Sequence, residues 1–267
     1  MMDRFSLATV IFLTAAAAAH ADVTVRNIQA AEGPLGPERK SPDYFPHDEV
    51  FYRYTITGLK TDKQGDIDVV IESKIIDDNG KVIPGSRDPV KGKLHLAGGT
   101  FTGSSVIKLG NQFAPGEYTL TVLVTDNVTA ENVQFSRKFR VKPAAFAIVA
   151  PRFFQGDTAV PAPAGGYVGE LLRVRLKAIG FDKSSGKIDS ELAVQLLDAE
   201  GKELLDQPKR AALTSADADE VKNATHLNFT EIIGLNRAGS FTLRLTVTDK
   251  LGNQTATLEL PLTVREP

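Results

Sequence analysis

The chain has 267 residues, of which 42% are hydrophobic and 24% are charged. This balance is typical of a folded globular protein and excludes a disordered chain. Lys and Arg number 31 against 33 Asp and Glu, so there is no basic surplus of the kind that nucleic-acid-binding proteins show. The chain has no Cys, which excludes disulfides, thiol nucleophiles and thiolate zinc sites.

The N-terminal segment has the pattern of a secretory signal peptide. Arg4 precedes Phe5–Ala19, an uncharged and largely apolar run that is short for a membrane span. Ala19-His20-Ala21 then offers the small residues that signal peptidase recognises. We expect residues 1–21 to be removed and the mature protein to be periplasmic or extracellular, without a membrane span. The alternative is a retained N-terminal anchor.

The remaining sequence repeats itself once. Phe51–Lys81 resembles Leu171–Lys202. Further along, GEYTLTVLVTD (Gly116–Asp126) matches GSFTLRLTVTD (Gly239–Asp249). A repeat this long indicates two copies of one domain rather than a solenoid, whose units are shorter.

The repeat predicts two domains, at residues 22–142 and 143–267. Pro143 lies at the boundary, and a residue without a backbone N–H suits the end of a run of strands. Each copy has roughly 120 residues, which is long enough to close an independent core.

The pattern within each copy predicts strands. In Tyr118–Asp126 the apolar Tyr118, Leu120, Val122 and Val124 alternate with Thr119, Thr121, Leu123 and Thr125, and Phe241–Asp249 has the same alternation. A period of two is typical of a strand with one buried face. Asp77–Gly80 and Asp198–Gly201 are tight-turn signals between strands. We therefore predict an all-β protein of two tandem antiparallel β-sandwiches.

The predicted order of elements is the same in both copies. A helical turn at Ser215–Lys222, capped by Ser215, is the one predicted helical element. In the first copy the predicted strands are Val23–Ala30, Glu49–Leu59, Ile67–Asp77, Lys81–Ile83, Phe101–Leu109, Glu117–Thr125 and Val133–Val141.

The strands ending in Val-Thr-Asp resemble the penultimate strand of bacterial immunoglobulin-like and fibronectin-III-like modules. The layout of Phe45–Tyr54, Asp77–Lys81 and Pro115–Tyr118 is also similar to the immunoglobulin-like domains of macroglobulins. This resemblance implies an immunoglobulin-like fold and a role outside the cytoplasm. Fold alone does not give function.

Two aromatic segments are candidate binding surfaces. Pro42–His47 and Phe153–Val168 are rich in Pro, Gly and aromatic residues, and loops with exposed aromatics often bind partners. Tyr44, Phe45 and Tyr167 are the candidate platform for a carbohydrate. The alternative is that Phe45, Phe153 and Phe154 seal the ends of the sandwiches.

Acidic residues at loop ends are candidate calcium ligands. In a sandwich the loops that carry Asp182, Asp189 and Asp249 share one end, which strand direction places beside the interdomain linker. Calcium prefers six to eight oxygen ligands. The alternative is that each Asp caps its own turn, and we expect no other cofactor.

The sequence favours a non-enzymatic, exported, monomeric structural or interaction module. Its partner is an unidentified protein or a cell-envelope polysaccharide, and nucleic acid is not expected. The first alternative is a carbohydrate-binding accessory protein of the cell surface. The second is a small hydrolase or inhibitor on a sandwich scaffold, which requires facing acids in a pocket.

The predicted cleavage gives a direct test. Mass spectrometry of the protein from its native host should show an N-terminus at Asp22, because the Ala19-His20-Ala21 segment is the recognised site. An intact Met1 in the membrane fraction would show that the apolar segment is retained as an anchor.

Overall fold

The computed structural model describes residues 22–94 and 99–267, and the predicted signal peptide lies outside them. In these ranges the chain forms sixteen strands and one short helix, which confirms the all-β prediction. No helix among the described residues has the length and hydropathy that a membrane span requires.

Strands from the first copy form two sheets. A three-stranded sheet has the order β1-β3-β6, and a five-stranded sheet has the order β2-β8-β7-β4-β5. The strands are β1 (Thr24–Ala30), β2 (Asp43–Tyr44), β3 (Glu49–Thr57), β4 (Asp66–Asp77), β5 (Val82–Lys93), β6 (Phe101–Lys108), β7 (Gly116–Asp126) and β8 (Glu131–Val141).

Strands from the second copy repeat this layout. The three-stranded sheet has the order β14-β11-β9, and the five-stranded sheet has the order β10-β16-β15-β12-β13. The elements are β9 (Ala147–Gln155), β10 (Gly165–Tyr167), β11 (Leu171–Ile179), β12 (Ile188–Leu197), β13 (Lys209–Ser215), α1 (Ala218–Asn223), β14 (Leu227–Gly234), β15 (Gly239–Asp249) and β16 (Gln254–Arg265).

Each pair of sheets encloses a core of its own. One cluster of buried side chains lies within residues 23–141 and the other within residues 153–264. Val122 and Leu245, at equivalent positions of the repeat, are both fully buried. The domain boundary near Pro143 stays a prediction, because separate cores do not show that either copy folds alone.

The two predicted tight turns are built alike. The Asp77 side chain accepts hydrogen bonds from the backbone N–H groups of Asn79 and Lys81. Asp198 does the same for Glu200 and Lys202. The glycine that ends each turn has a positive φ, +80° and +81° respectively, a conformation that only glycine adopts at little cost. The repeated Asp-x-x-Gly-Lys pattern is therefore a turn signal with a specific hydrogen-bonding basis.

Some local predictions need correction. β5 reaches Lys93, whereas the predicted strand ends at Ile83. The prediction was too short because Pro84 and Pro89 obscure the strand pattern in the sequence. β5 is an edge strand paired only with β4 among the described strands, and an edge tolerates residues without a backbone N–H. Thr121 is 5% exposed rather than solvated, and its hydroxyl lies within hydrogen-bond distance of the Ser136 hydroxyl, at 3.1 Å.

The helical turn is also shifted from its predicted position. Helix α1 is capped by Asp217, whose side chain accepts a hydrogen bond from the N–H of Glu220 at 2.8 Å. Ser215 instead bonds the Glu220 side chain. Asp217 lies three residues before the N–H that it caps, as an N-cap residue must.

Charges in the two cores test whether the copies are independent. Val122→Asp should unfold the first sandwich and Leu245→Asp the second, because an unpaired buried charge costs several kcal/mol. Scanning calorimetry with limited proteolysis should show that each variant loses one half of the chain. Thr246→Asp, on the half-exposed face of β15, is the control and should melt as the wild type does. Loss of both halves in either variant would contradict separate cores.

Candidate functional site

The three aromatic candidates do not form an exposed row. Tyr44 is fully buried, its ring lies 5.9 Å from that of Phe139, and the Arg39 guanidinium lies 4.0 Å from its centroid. Its selection as a binding residue is therefore corrected: Tyr44 is part of the first core. The aromatic character was recognised in the sequence, but β2 has two residues and is too short to give a periodic signal of which way Tyr44 faces.

Phe45 and Tyr167 lie in different surroundings. Phe45 is half-buried against a small cluster of residues that follow the linker, Ala147, Val149 and Ile179. Tyr167 lies in β10 and is 46% exposed. Of the three candidates, Tyr167 alone presents a largely accessible ring, whereas Phe45 contributes to the contact between the two copies.

The acidic candidates do meet at one end of the second sandwich. The Asp249 carboxylate is 1% exposed and accepts hydrogen bonds from the backbone N–H of Asp182 at 2.7 Å and of Leu251 at 3.2 Å. Asp182 accepts from the N–H of Ser184, and this bond lowers the pKa of its carboxyl. Asp189 faces the Lys250 ammonium at 3.7 Å. Each carboxylate therefore already has a partner from the protein.

The first sandwich contains the equivalent of Asp249. Asp126 is fully buried and accepts from the N–H groups of Lys60 and Val128. In both copies, the Asp that ends the Val-Thr-Asp strand thus ties a loop from the opposite sheet to its own strand. Among the described residues, no group of three or more His, Asp or Glu side chains is arranged to hold a metal ion. Calcium binding at Asp182, Asp189 and Asp249 stays a prediction.

A cluster of buried charges lies where the two copies meet. The Arg39 guanidinium contacts the carboxylates of Glu32 at 3.1 Å and Asp48 at 2.9 Å, and it also donates to the backbone carbonyl of Asp43. Asp48 is 1% exposed and Glu32 is 9% exposed. Burial raises the pKa of both carboxyl groups, and the positive charge of Arg39 opposes that rise.

Asp48 connects this cluster to the second copy. Its Oδ1 accepts hydrogen bonds from the N–H of Glu49 at 2.8 Å and from the N–H of Ala150 at 3.0 Å. Next to it, Glu49 forms an ion pair with Arg152. Two consecutive acidic side chains of the first copy therefore bind β9 of the second copy. Asp48 accepts from the backbone of β9, and Glu49 pairs with a side chain of β9.

A bulge in β9 makes this contact available. The pairing of β9 with β11 shifts by one residue between Arg152 and Val149, and Ala150 adopts a positive φ of +49°. A bulge leaves an N–H outside the ladder, and here the Asp48 carboxylate receives it. β1 has a bulge at the equivalent place, where Asn27 has a φ of +52°. Both copies of the repeat therefore have this bulge in their first strand.

A basic groove lies on the outer face of the sheet next to this junction. It has a volume of about 360 Å³ and is lined by Glu49 of β3 and by residues of β9, β11 and β14. Arg152 of β9 is directly opposite Arg175 of β11, and Lys177 lies two residues further on the same face. Among the described residues, Arg175 and Lys177 form no ion pair. The Arg175 guanidinium instead covers the Phe154 ring at 4.8 Å.

A pair of histidines lies where the two copies meet, near Lys177. The rings of His47 and His226, one from each copy, are 6.4 Å apart. Burial, followed by the charges of Lys177 and His47, lowers the pKa of His226. Both the burial of the ring and the neighbouring positive charges therefore favour the neutral form of His226.

The sequence contained only a weak signal for the junction. Glu32, Arg39 and Asp48 lie in an irregular segment that is rich in Pro and charge, and the partner of Asp48 across the junction is a backbone group, the N–H of Ala150. The cations of the groove were also missed, although Arg175 and Lys177 occupy alternate positions of one strand, a pattern that the sequence shows.

The fold and the junction define a protein of two all-β sandwiches in contact through buried charges. No protein-family model and no curated protein sequence matches the chain. Among solved structures, it is similar to the C-terminal domain of the AgI/II polypeptide BspA of Streptococcus agalactiae, with 9% identity over 90% of this chain and 100% of that one and a TM-score of 0.32.

Two further structures are comparably distant. Dimeric latent PorU of Porphyromonas gingivalis matches 93% of this chain with 12% identity and a TM-score of 0.35, and red sea bream transglutaminase matches 92% with 7% identity and a TM-score of 0.28. The chain spans 21% of the first and 32% of the second. Likenesses at this level carry no argument about function.

Removal of the Arg39 charge tests the junction. Arg39→Met leaves two buried carboxylates without a cation, which should lower the free energy of unfolding at neutral pH by about 3–5 kcal/mol. Chemical denaturation measures the loss. Lys40→Met, at an exposed neighbouring position, is the control and should be near neutral.

The same variant has a defined pH dependence. Burial raises the pKa of Glu32 and Asp48, and without Arg39 less opposes that rise. A carboxyl with a raised folded-state pKa binds its proton more tightly in the folded state than in the unfolded state. Protonation of such a carboxyl therefore stabilises the fold at low pH, and this stabilisation is lost as the pH rises through the folded-state pKa. Arg39→Met should therefore regain part of its deficit on acidification from pH 7 towards 4.5. If the loss in free energy of unfolding does not change with pH, the two carboxylates are compensated by other groups, which would contradict the account.

Proposed function

We propose that the protein is an exported, non-enzymatic binding module of tandem immunoglobulin-like type, in which the junction fixes two β-sandwiches and the basic groove binds an anionic partner. The observation that carries the proposal is the unneutralised charge of the groove. Arg152, Arg173, Arg175 and Lys177 share one face, and the acids bound to them are Glu49 and Asp157.

Two of these cations, Arg175 and Lys177, have no carboxylate partner among the described residues. Residues directly opposite each other on adjacent strands have Cβ atoms about 4.5–5.5 Å apart, and like charges at that separation repel. Arg152 and Arg175 occupy such a pair. Glu49 neutralises Arg152, whereas Arg175 and Lys177 have no carboxylate among the described residues. A carboxylate or phosphate from a partner supplies the missing charge.

Polar groups along the groove complete the recognition surface. Thr230 is opposite Arg175, and Asn228 is opposite Lys177, so each cation has a neighbour that can donate or accept a hydrogen bond. Arginine binds planar anions through two parallel N–H groups. This combination supports a partner that carries repeated acidic groups with hydroxyl or amide groups between them, such as an acidic polysaccharide of the cell envelope.

The alternatives have less support. A carbohydrate platform of the Tyr44, Phe45 and Tyr167 type lacks its first member, which is inside the core. A hydrolase needs free facing acids, whereas Asp126 and Asp249 bind backbone N–H groups of their loops. Export rests on the Phe5–Ala19 segment of the sequence.

The groove is tested by titration with polygalacturonate. The wild-type protein should bind it and should not bind neutral dextran, and added salt should weaken the binding because exposed charges are screened. Arg175→Glu should weaken it by about tenfold or more, since a hydrogen bond to a charged group contributes about 1.5–3 kcal/mol. Isothermal titration calorimetry measures both effects.

The control separates local from overall charge. Lys138 is an exposed cation of β8 on the other sandwich, so Lys138→Glu makes the same change in net charge away from the groove. Equal losses in the two variants would contradict a specific site. Binding of poly-L-glutamate in place of polygalacturonate would assign the groove to an acidic peptide rather than to a polysaccharide.

A further inference from the structure

The two sandwiches differ at one end, the end that carries the loop before β7 and β15. In the first copy four buried aromatic residues fill this end: Tyr44, Phe113, Tyr118 and Phe139. Their rings contact one another at centroid distances of 5.9 Å for Tyr44 and Phe139 and 5.5 Å for the other two pairs. The core of the first sandwich is therefore closed here by aromatic packing.

The strand register shows which residues replace them in the second copy. Tyr118 pairs with Phe139 across β7 and β8, and Phe241 pairs with Leu262 across β15 and β16. Tyr44 pairs with Val141, and Gly166 pairs with the equivalent Val264. Two large rings are thus replaced by a leucine and a glycine.

The loop residue changes as well. Phe113 lies in the segment before β7, where the second copy has Asn236 and Arg237, both exposed. The space beside Gly166 is taken by Glu170 and Leu235, since a Cβ added there would lie 2.5 Å from the Glu170 Oε2 and 2.9 Å from the Leu235 Cδ1. A cavity of about 370 Å³ remains at this end, next to Leu235 and Leu262.

The cavity has the character of a small-molecule site. Its volume is in the range of about 300–1,000 Å³ that ligand pockets occupy, and such pockets are mostly apolar with a few polar groups. Leu205, which is 40% exposed, and the half-buried Phe241 lie at its surface. The apolar residues that line it are Leu196, Leu204, Leu205, Ile233, Leu235, Phe241, Leu262 and Val264.

One cationic residue, Arg237, also lines the cavity. The Arg237 guanidinium lies 5.2 Å from the Phe241 ring centroid, and it forms no ion pair with any described residue. An apolar cavity with an arginine in its lining is complementary to a molecule with an apolar chain and an anionic head. We propose that this end of the second sandwich binds a free acyl carboxylate, with its chain between the two sheets and its carboxylate on Arg237.

The proposal is independent of the groove. The cavity is lined by the ends of β12, β14, β15 and β16, whereas the groove is lined by β9, β11 and the middle of β14. A negative result in one titration therefore leaves the other unaffected.

Decanoate and decanol are the probes, because they share a chain and differ in the charge of the head. Calorimetric titration of the delipidated protein should detect decanoate binding. Arg237→Gln should weaken binding of decanoate by about tenfold, the loss expected for one charge-assisted hydrogen bond, and should leave binding of decanol unchanged. Equal effects on both probes, or no binding of decanoate by the wild type, would overturn the proposal.

A second set of variants tests the cavity itself. Leu262→Phe restores the ring that the first sandwich has at Phe139 and should abolish binding of both probes. Leu205→Ser, at an exposed position, weakens binding without placing a new side chain in the core. Leu251→Ser is its control, since Leu251 is 38% exposed beside the opposite-end Asp249 loop.

Vesicles of phosphatidylglycerol distinguish a free acid from a membrane lipid. The account predicts no vesicle binding that depends on the cavity. Vesicle binding that Leu262→Phe abolishes, without binding of decanoate, would place a bilayer lipid in the cavity and overturn the proposal. Decanoate binding retained in both Leu262→Phe and Leu205→Ser would show that the ligand lies elsewhere, with the same consequence.

Discussion

Arg39 forms ion pairs with two buried carboxylates, Glu32 and Asp48, beside the contact between the two sandwiches. A carboxylate that is almost fully buried is costly unless a cation and hydrogen bonds compensate it. Arg39 provides the cation for Glu32 and Asp48. Asp48 is then available to receive the N–H of Ala150. The first sandwich thus places the Asp48 carboxylate, whose charge is compensated by Arg39, against the backbone of the second sandwich.

The rest of the molecule can be understood as one sandwich used twice with local changes. Both copies keep the bulged first strand, the Asp-x-x-Gly turn and the buried Asp at the end of the Val-Thr-Asp strand. The first copy has packed aromatic rings, including Tyr44 and Phe139, at one end of its core, whereas the second has Gly166 and Leu262 at the equivalent positions. The shared features maintain the fold, and the differences create the two candidate binding surfaces.

The sequence predicted the strands well because half-buried strands have a period of two. It failed where periodicity is absent. Pro84 and Pro89 hid most of β5, and the irregular segment around Tyr44 gave no indication that its ring enters the core. The Asp48 contact was not predictable either, since its partner is the N–H of Ala150, which the side-chain sequence does not encode. The expectation for Asp182, Asp189 and Asp249 brought the right loops together but left open what their carboxylates bind.

The absence of Cys from the chain allows the central claim to be tested directly. Cysteines introduced at Lys138 and Thr257, exposed positions on different sandwiches, can be spin-labelled without side reactions. Double electron–electron resonance then measures the distance between the two labels. If buried charges fix the junction, the wild-type background should give one narrow distance distribution, and Arg39→Met should broaden it. A broad distribution in the wild-type background would contradict the account.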